Sequence, residues 1–372
     1  MSQNPINTIS TTADNIPFLL ERAYERRASL FLWGKPGIGK STMIREWVTA
    51  KGSDWDYHDV RLTTMEPSDL RGLPSIDKES KRTIWNLPDF LPTEDSERKG
   101  VIFLDELTAA DQRLQAAAYE LVNERSIGGK AIPKNYWVVA AGNTIEDGAI
   151  SNDMGTALAD RFMHIYVLAT ASAWLKWGAS ANIHPSVLTF IKIKPEELEA
   201  NERAQAEKHM ITPTPRSWHR VSNLLHQKFD ASIPNKLQST LREIEVTGYL
   251  GRQTAQSFFQ VLEEVAGLPD IETLLEADAK KQNTLVPDTV PALYGLTYSV
   301  VGFVNDIKGL QKAMRLFENL TQNEKATTPR KEIQSLAVEM IFAKATKLGL
   351  IREFIRLKEY APYAKRTTEM AY

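Results

Sequence analysis

Apolar residues follow two different rhythms along the chain. Over roughly the first 170 positions they come as short blocks: Leu30 to Trp33, Val101 to Leu104, Tyr136 to Ala141 and Phe162 to Val167. Blocks this short, rich in branched and aromatic residues and closed by glycine, amide or charged side chains, predict strands buried in a parallel sheet. Met43 to Val48 and Gly155 to Asp160 read as helical segments between them. Further on the spacing becomes helical, with stripes at Leu237, Leu241, Ile244 and Leu250, then Phe258, Phe259, Leu262 and Val265. Leu310 to Leu320 (with Ala313, Met314, Leu316 and Phe317), Ile333 to Leu348 and Ile351 to Tyr360 continue it. Such stripes predict helix faces turned to a core. Breaks at Ile183 to Pro185, Gly267 to Pro269 and Val286 to Pro287 separate the helices, Glu276 to Asn283 reads as a polar loop or frayed helix end, and Thr321 to Pro329 as a polar linker.

The junction after the first strand changes this picture from architecture to chemistry. Gly34, Lys35, Pro36, Gly37, Ile38, Gly39, Lys40 and Ser41, followed by Thr42, complete the pattern G-x-x-x-x-G-K-[ST] between a strand and a helix. Glycines let backbone N–H groups close on phosphate oxygens, and the helix N-terminus adds positive dipole charge. Lys40 is expected to neutralise the β and γ phosphates and Ser41 to hold Mg²⁺.

Partners for that loop lie downstream. Asp105 and Glu106 end the second strand, where a parallel sheet delivers acids to its C-terminal edge. Asp105 is expected to complete the Mg²⁺ environment and Glu106 to orient and deprotonate water; the same pair also suits an acidic helix start. Asn143 ends the third strand, placed to sense the γ-phosphate or hold the lytic water, though an amide after glycine is also ordinary turn chemistry. Arg161 stands between a helix and a strand; it either projects toward a neighbouring subunit's nucleotide or pairs with Asp160 at the surface. Arg216 follows Thr212, Pro213, Thr214 and Pro215 at a helix start, as a nucleotide contact or an exposed first-turn arginine.

Composition narrows the class without choosing it. The 372 residues carry 25% charged and 42% hydrophobic side chains and a formal net charge of −2, with no cysteine. Disulfide scaffolds and Cys-ligated zinc are excluded, and the balance argues against a protein that mainly coats nucleic acid. Lys78, Lys81 and Arg82, and Lys365 with Arg366, are short basic groups interleaved with acids, read as solvated surface. No apolar run is long enough to span a membrane and the polar start is not a signal peptide, so a cytoplasmic location is expected. The histidines, His58, His164, His184, His209, His219 and His226, form no compact metal pattern; His209 and His219 are read as surface or packing residues.

In order, Gly34 to Ser41, Asp105 with Glu106, Asn143, Arg161 and Arg216 resemble the AAA+ ATPases over roughly residues 15 to 220. Glu66 to Pro74, Asn143 to Gly148 and Ala157 to Phe162 are similar to the MoxR branch. The resemblance implies an α/β P-loop NTPase core (residues 1–170), a helical lid (171–250) and a helical C-terminal extension (251–372). It makes Lys40 and Ser41 Walker A, Asp105 and Glu106 Walker B, Asn143 sensor 1, Arg161 the arginine finger and Arg216 sensor 2, with nucleotide between core and lid. ATP and Mg²⁺ are the implied cofactors. A hexameric ring that remodels a partner protein, one containing a von Willebrand factor A domain, is the implied assembly. Inserts at Ser68 to Leu91 and Arg125 to Pro133 resemble those such rings direct at partners or a central channel; the Gly128-Gly129 step is itself a hairpin signal. A nucleotide-gated binding module with slow turnover is the alternative, and a nucleic-acid motor or loader the third choice.

Overall fold

The computed structural model describes residues 6–147, 152, 154–322 and 328–364. Gly148 of the Asn143 to Gly148 motif, the polar start at 1–5, most of the linker at 321–329, and Lys365 with Arg366 lie outside the described residues. The chain divides into two compact units, Met1–Ala169 and Thr170–Tyr372.

The first unit is built on β1 (Ser10–Thr12), α1 (Ile16–Glu25), β2 (Leu30–Trp33), α2 (Lys40–Ala50), β3 (Trp55–Arg61), α3 (Pro67–Arg71), β4 (Leu73–Ile76), β5 (Thr83–Asn86), β6 (Lys99–Asp105), α4 (Gln112–Asn123), β7 (Ser126–Ile127), β8 (Lys130–Ala131), β9 (Tyr136–Gly142), α5 (Thr156–Ala159) and β10 (Met163–Leu168). Six strands form one parallel sheet in the order β1-β10-β2-β9-β6-β3. Successive side chains of each strand enter opposite faces. Phe31, Ile102, Leu104, Val138 and Ala140 pack with α4, while Leu30, Leu32, Val101, Phe103, Val139 and Ala141 pack with α1 and α2. Burial of Phe31 or Phe103, each 0% exposed, contributes about 2–3 kcal/mol.

The sheet is wider than its apolar blocks indicate. β3, whose sequence mixes Asp56, His58, Asp59 and Arg61 with aromatics, is, among the described residues, an edge strand paired with β6 alone. Both expected inserts form hairpins: β4 pairs with β5 and β7 with β8, antiparallel. They also meet, since a Cβ on Gly128 would lie 2.8 Å from the Arg71 carbonyl and 3.1 Å from Trp85 Cβ.

The second unit is helical: α6 (Ala171–Ser180), α7 (Pro185–Ile193), α8 (Asn201–Ala206), α9 (Pro215–His226), α10 (Asn235–Leu250), α11 (Arg252–Ala266), α12 (Ile271–Glu276), α13 (Ala279–Leu285), α14 (Val290–Phe303), α15 (Ile307–Gln322), α16 (Thr328–Lys347) and α17 (Ile351–Phe354). Trp174, Phe190, Trp218, Leu250, Phe258 and Tyr298 share one core, and Leu274, Leu296, Phe317, Ile341 and Phe354 another. Helices on both sides of Leu250 thus pack in a common core. α14 serves both cores because it is apolar around most of its circumference. Two expectations need correction. Glu276 to Asn283 is no loop for most of its length: Asp278 caps α13 by accepting from the Lys281 N–H, a signal three residues long inside a polar run. In the α10 stripe, Leu237 is 48% and Ile244 63% exposed, so only its C-terminal end enters the core, through Val246 and Leu250. Among the described residues, no helix is long and apolar enough to cross a membrane.

Candidate functional site

Three neighbouring strands of the parallel sheet, β2, β9 and β6, end on one edge in candidate residues. β2 runs straight into the loop, where Gly34, Gly37 and Gly39 have φ of 143°, 81° and 97°. Glycine is required at Gly34 for space as well: a Cβ there would stand 2.6 Å from Ile38 Cδ1 and 2.7 Å from the Val167 carbonyl. Gly39 is the N-cap of α2 and leaves the first-turn N–H groups without a side-chain cap, open to an anion.

Lys40, the first residue of α2, is buried, and its ammonium donates to the Gly34 carbonyl (2.6 Å), the Lys35 carbonyl (3.3 Å) and Asn143 Oδ1 (2.7 Å). Ser41 Oγ donates to Asp105 Oδ2 at 2.9 Å. These contacts join three separate strand ends. Burial, with the charges of Asp59 and Glu106, pushes the Asp105 carboxyl above its ordinary value, against the lowering by the Ser41 hydrogen bond and Lys40. A half-buried carboxylate beside a hydroxyl oxygen is a hard-oxygen donor pair suited to Mg²⁺. Among the described residues, no group of three or more His, Cys, Asp or Glu is placed to hold a metal by itself.

Glu106 is held differently. Its φ is 58°, a left-handed conformation that costs a non-glycine residue energy. Its Oε2 accepts from Thr63 Oγ1 at 2.7 Å. Thr63 follows β3, the strand hidden in the sequence. Asn143 is clamped by Thr108, whose hydroxyl accepts from the Asn143 N–H (3.1 Å) and donates to its carbonyl (3.0 Å). One step further, Asp147 receives the Thr144 N–H (2.8 Å) and the Tyr166 hydroxyl (2.6 Å). Thr63, Thr108 and Asp147 escape sequence reading because their partners are 35 or more residues away, or, for Asp147, because only the fold brings Tyr166 to it.

Arg161 is not gathered into this cluster. It stands before β10, whose first residue Met163 pairs with Leu30, at the start of β2; the loop follows the other end of that strand. Its guanidinium instead donates to Asn123 Oδ1 (2.5 Å) and Asp160 Oδ2 (2.7 Å) and lies 5.9 Å from the Tyr119 ring centre. Arg216 belongs to the second unit, exposed in the first turn of α9, where Thr214 and Ser217 form a reciprocal cap. His209 is exposed beside Glu207, and His219 packs edge-on against Trp177.

A central parallel sheet with this loop, an acidic strand end and an amide at the next strand end has the AAA+ P-loop NTPase fold, followed by a helical portion. Residues 29–162 match the family model described as AAA domain (dynein-related subfamily). The comparison with curated proteins finds no match. Among solved structures, one mutant of RuvB from Thermotoga maritima is 15% identical, with 80% of this chain and 84% of that chain covered and a TM-score of 0.36. A second RuvB mutant of that organism gives 15%, 95%, 86% and 0.35. NtrX from Brucella abortus gives 15%, 90%, 69% and 0.32. Scores this low carry no inference about activity.

Proposed function

We propose that the protein is a Mg²⁺-dependent ATPase of the MoxR type, acting as a ring, hexameric by that resemblance, that remodels a partner protein. The observation that carries the reading is the pair of hydrogen bonds Lys40 to Asn143 and Ser41 to Asp105. Residues separated by 103 and 64 positions converge on one loop, in the arrangement phosphoryl transfer needs.

In this reading the loop N–H groups and the start of α2 receive the β and γ phosphates, and Lys40 exchanges its carbonyl partners for phosphate oxygens. Ser41 and Asp105 hold Mg²⁺, which supplies charge neutralisation at the phosphates. Glu106 leaves Thr63 to orient water and take its proton. Asn143, held by Thr108, aligns the γ-phosphate or that water. Arg161 serves the neighbouring subunit's nucleotide, a role supported by its place at the sheet edge away from its own loop. Arg216 senses nucleotide from the lid. The two hairpins face a partner, with a von Willebrand factor A domain protein as the candidate.

ATP hydrolysis per subunit, measured from well below to well above micromolar protein, tests the assembly. A rate that rises and saturates supports a site completed between subunits. Arg161→Ala is expected to lower turnover by ~10³ to 10⁵, or roughly 4 to 7 kcal/mol of barrier, with binding retained; near-normal turnover removes Arg161 from the role. The Glu106 to Thr63 bond favours a second reading, a nucleotide-gated module with slow turnover. A slow rate independent of concentration in a monomer selects it.

A further inference from the structure

We infer that His164 is a positioning residue for Arg161, tying the end of α5 to the strand that carries the phosphate loop. His164 uses both ring nitrogens, in opposite directions. Nδ1 lies 2.8 Å from Trp33 Nε1, and Nε2 lies 2.8 Å from the Ala159 carbonyl. An indole N–H only donates, so Nδ1 accepts and Nε2 carries the proton given to Ala159. Trp33 is the last residue of β2, immediately before Gly34. Ala159 closes α5, two residues before Arg161.

Aromatic packing fixes the other side of Arg161. Phe162 meets Phe31 edge-on at 5.4 Å, and the His164 ring lies 5.7 Å from Phe31 and 5.9 Å from Trp33. Arg161 is therefore rooted between two points, Ala159 and Phe162, that β2 holds in place. The guanidinium is half-exposed, but the backbone that launches it is anchored to the loop's own strand. A charge delivered across a subunit boundary acts only if its root is held to a fraction of an ångström, and a 1 Å misplacement costs on the order of 10² in rate.

The inference rests on the proposal that Arg161 acts in trans, and subunit mixing separates the two. His164→Phe keeps the aromatic packing and loses both hydrogen bonds. Alone, it is expected to bind nucleotide normally and to lose on the order of 10² in turnover. Mixed into an excess of Glu106→Gln subunits, which do not hydrolyse but present an intact Arg161, each His164→Phe site is expected to recover the turnover of wild-type subunits diluted in the same excess. A His164→Phe site that stays slow in the mixture is damaged in its own chemistry, and the inference is overturned. Arg161→Ala in the same mixture is the control: without rescue there, the in-trans reading falls and this inference with it. Two further variants hold the test if His164→Phe folds poorly. Glutamine places an amide nitrogen where Nε2 stood and still donates to Ala159; asparagine does not reach. His164→Gln, which keeps the Ala159 bond and gives up the Trp33 bond, is expected to retain more turnover than His164→Asn, and equal turnover of the two overturns the inference.

Discussion

At the scale of single residues, the contact that decides most is the one between Glu106 and Thr63. A carboxylate that accepts from a threonine hydroxyl at one oxygen keeps its other acceptor sites but is held in one orientation, so the same side chain is held ready and held back. Thr63→Val removes the hydroxyl and leaves the shape. It is expected to raise basal ATP turnover without altering nucleotide affinity, measured as steady-state rate and dissociation constant; a fall in rate would mean that Thr63 aims Glu106 rather than restraining it. Glu106→Gln is expected to retain ATP through many wild-type turnover times, and prompt phosphate release by that variant removes Glu106 as the base. In the second unit, Glu197 is buried and accepts from Arg203 Nη1 (2.6 Å), Arg203 Nη2 (2.9 Å) and Thr254 Oγ1 (2.7 Å). The Arg203 hydrogen bonds hold its carboxyl below the ordinary value of 4.5, outweighing burial. A depressed folded-state value contributes stability that is present above the unfolded value and lost as pH falls through the folded one. Glu197→Gln is expected to cost about 1.5–3 kcal/mol at pH 7, with the gap to wild type narrowing in denaturant titrations taken well below pH 4.5. Equal gaps at both pH values would exclude the ion pair as the cause. The loop and the Asp105/Glu106 pair were legible as residues because their spacing is local. Thr63, Thr108 and His164 were not, since hydroxyls and imidazoles acquire these roles only when distant strands come together.

At the scale of elements, legibility followed the strength of the apolar signal. β2, β6 and β9 stand inside the sheet and read as unbroken apolar blocks; β3 stands at its edge and reads as mixed polarity, so its place was invisible until pairing with β6 was known. The α10 stripe shows the converse error: Leu237 and Ile244 have helical spacing but stay exposed, because period identifies a face and not what covers it. The two hairpins were each legible from turn chemistry, while their contact was not. Gly128 and Gly129 both have positive φ, 56° and 75°. A Cβ on Gly129 meets nothing within 4 Å, whereas one on Gly128 strikes the Arg71 carbonyl at 2.8 Å. Gly128→Ala is therefore expected to lift the 126–131 hairpin from Trp85 and Arg71, beyond the backbone strain that Gly129→Ala alone carries. Trypsin cleavage after Lys78, Lys81 and Arg82 at the neighbouring hairpin tip reads the difference: faster in Gly128→Ala, close to wild type in Gly129→Ala. Equal rates would show that the hairpins move independently.

At the scale of the whole molecule, the two units each bury their own cores, and only the first holds the phosphate loop. Partition of the helical portion was not legible, because α14 sits in two cores and its uniform apolarity hides which helices it joins. Unfolding of a chain with several cores is not bound to a single transition, and a ligand stabilises only what it binds when folded. Mg²⁺ with a non-hydrolysable ATP analogue at a hundred times its dissociation constant adds about 2.7 kcal/mol to the unit that holds it. For a unit of this size each kcal/mol moves the midpoint by about 2–4 °C, so the transition of the first unit is expected to rise by roughly 5–10 °C. Lys40→Ala, which removes the cation at the centre of the loop, is expected to abolish the rise. Chelating Mg²⁺ is expected to diminish it, because Ser41 and Asp105 would lose the ion they are proposed to hold. The second transition discriminates further, because it carries Arg216. If it climbs in parallel with the first in wild type but not in Arg216→Ala, nucleotide is read by α9; if it stays fixed in both, Arg216 is the exposed first-turn arginine that its burial describes.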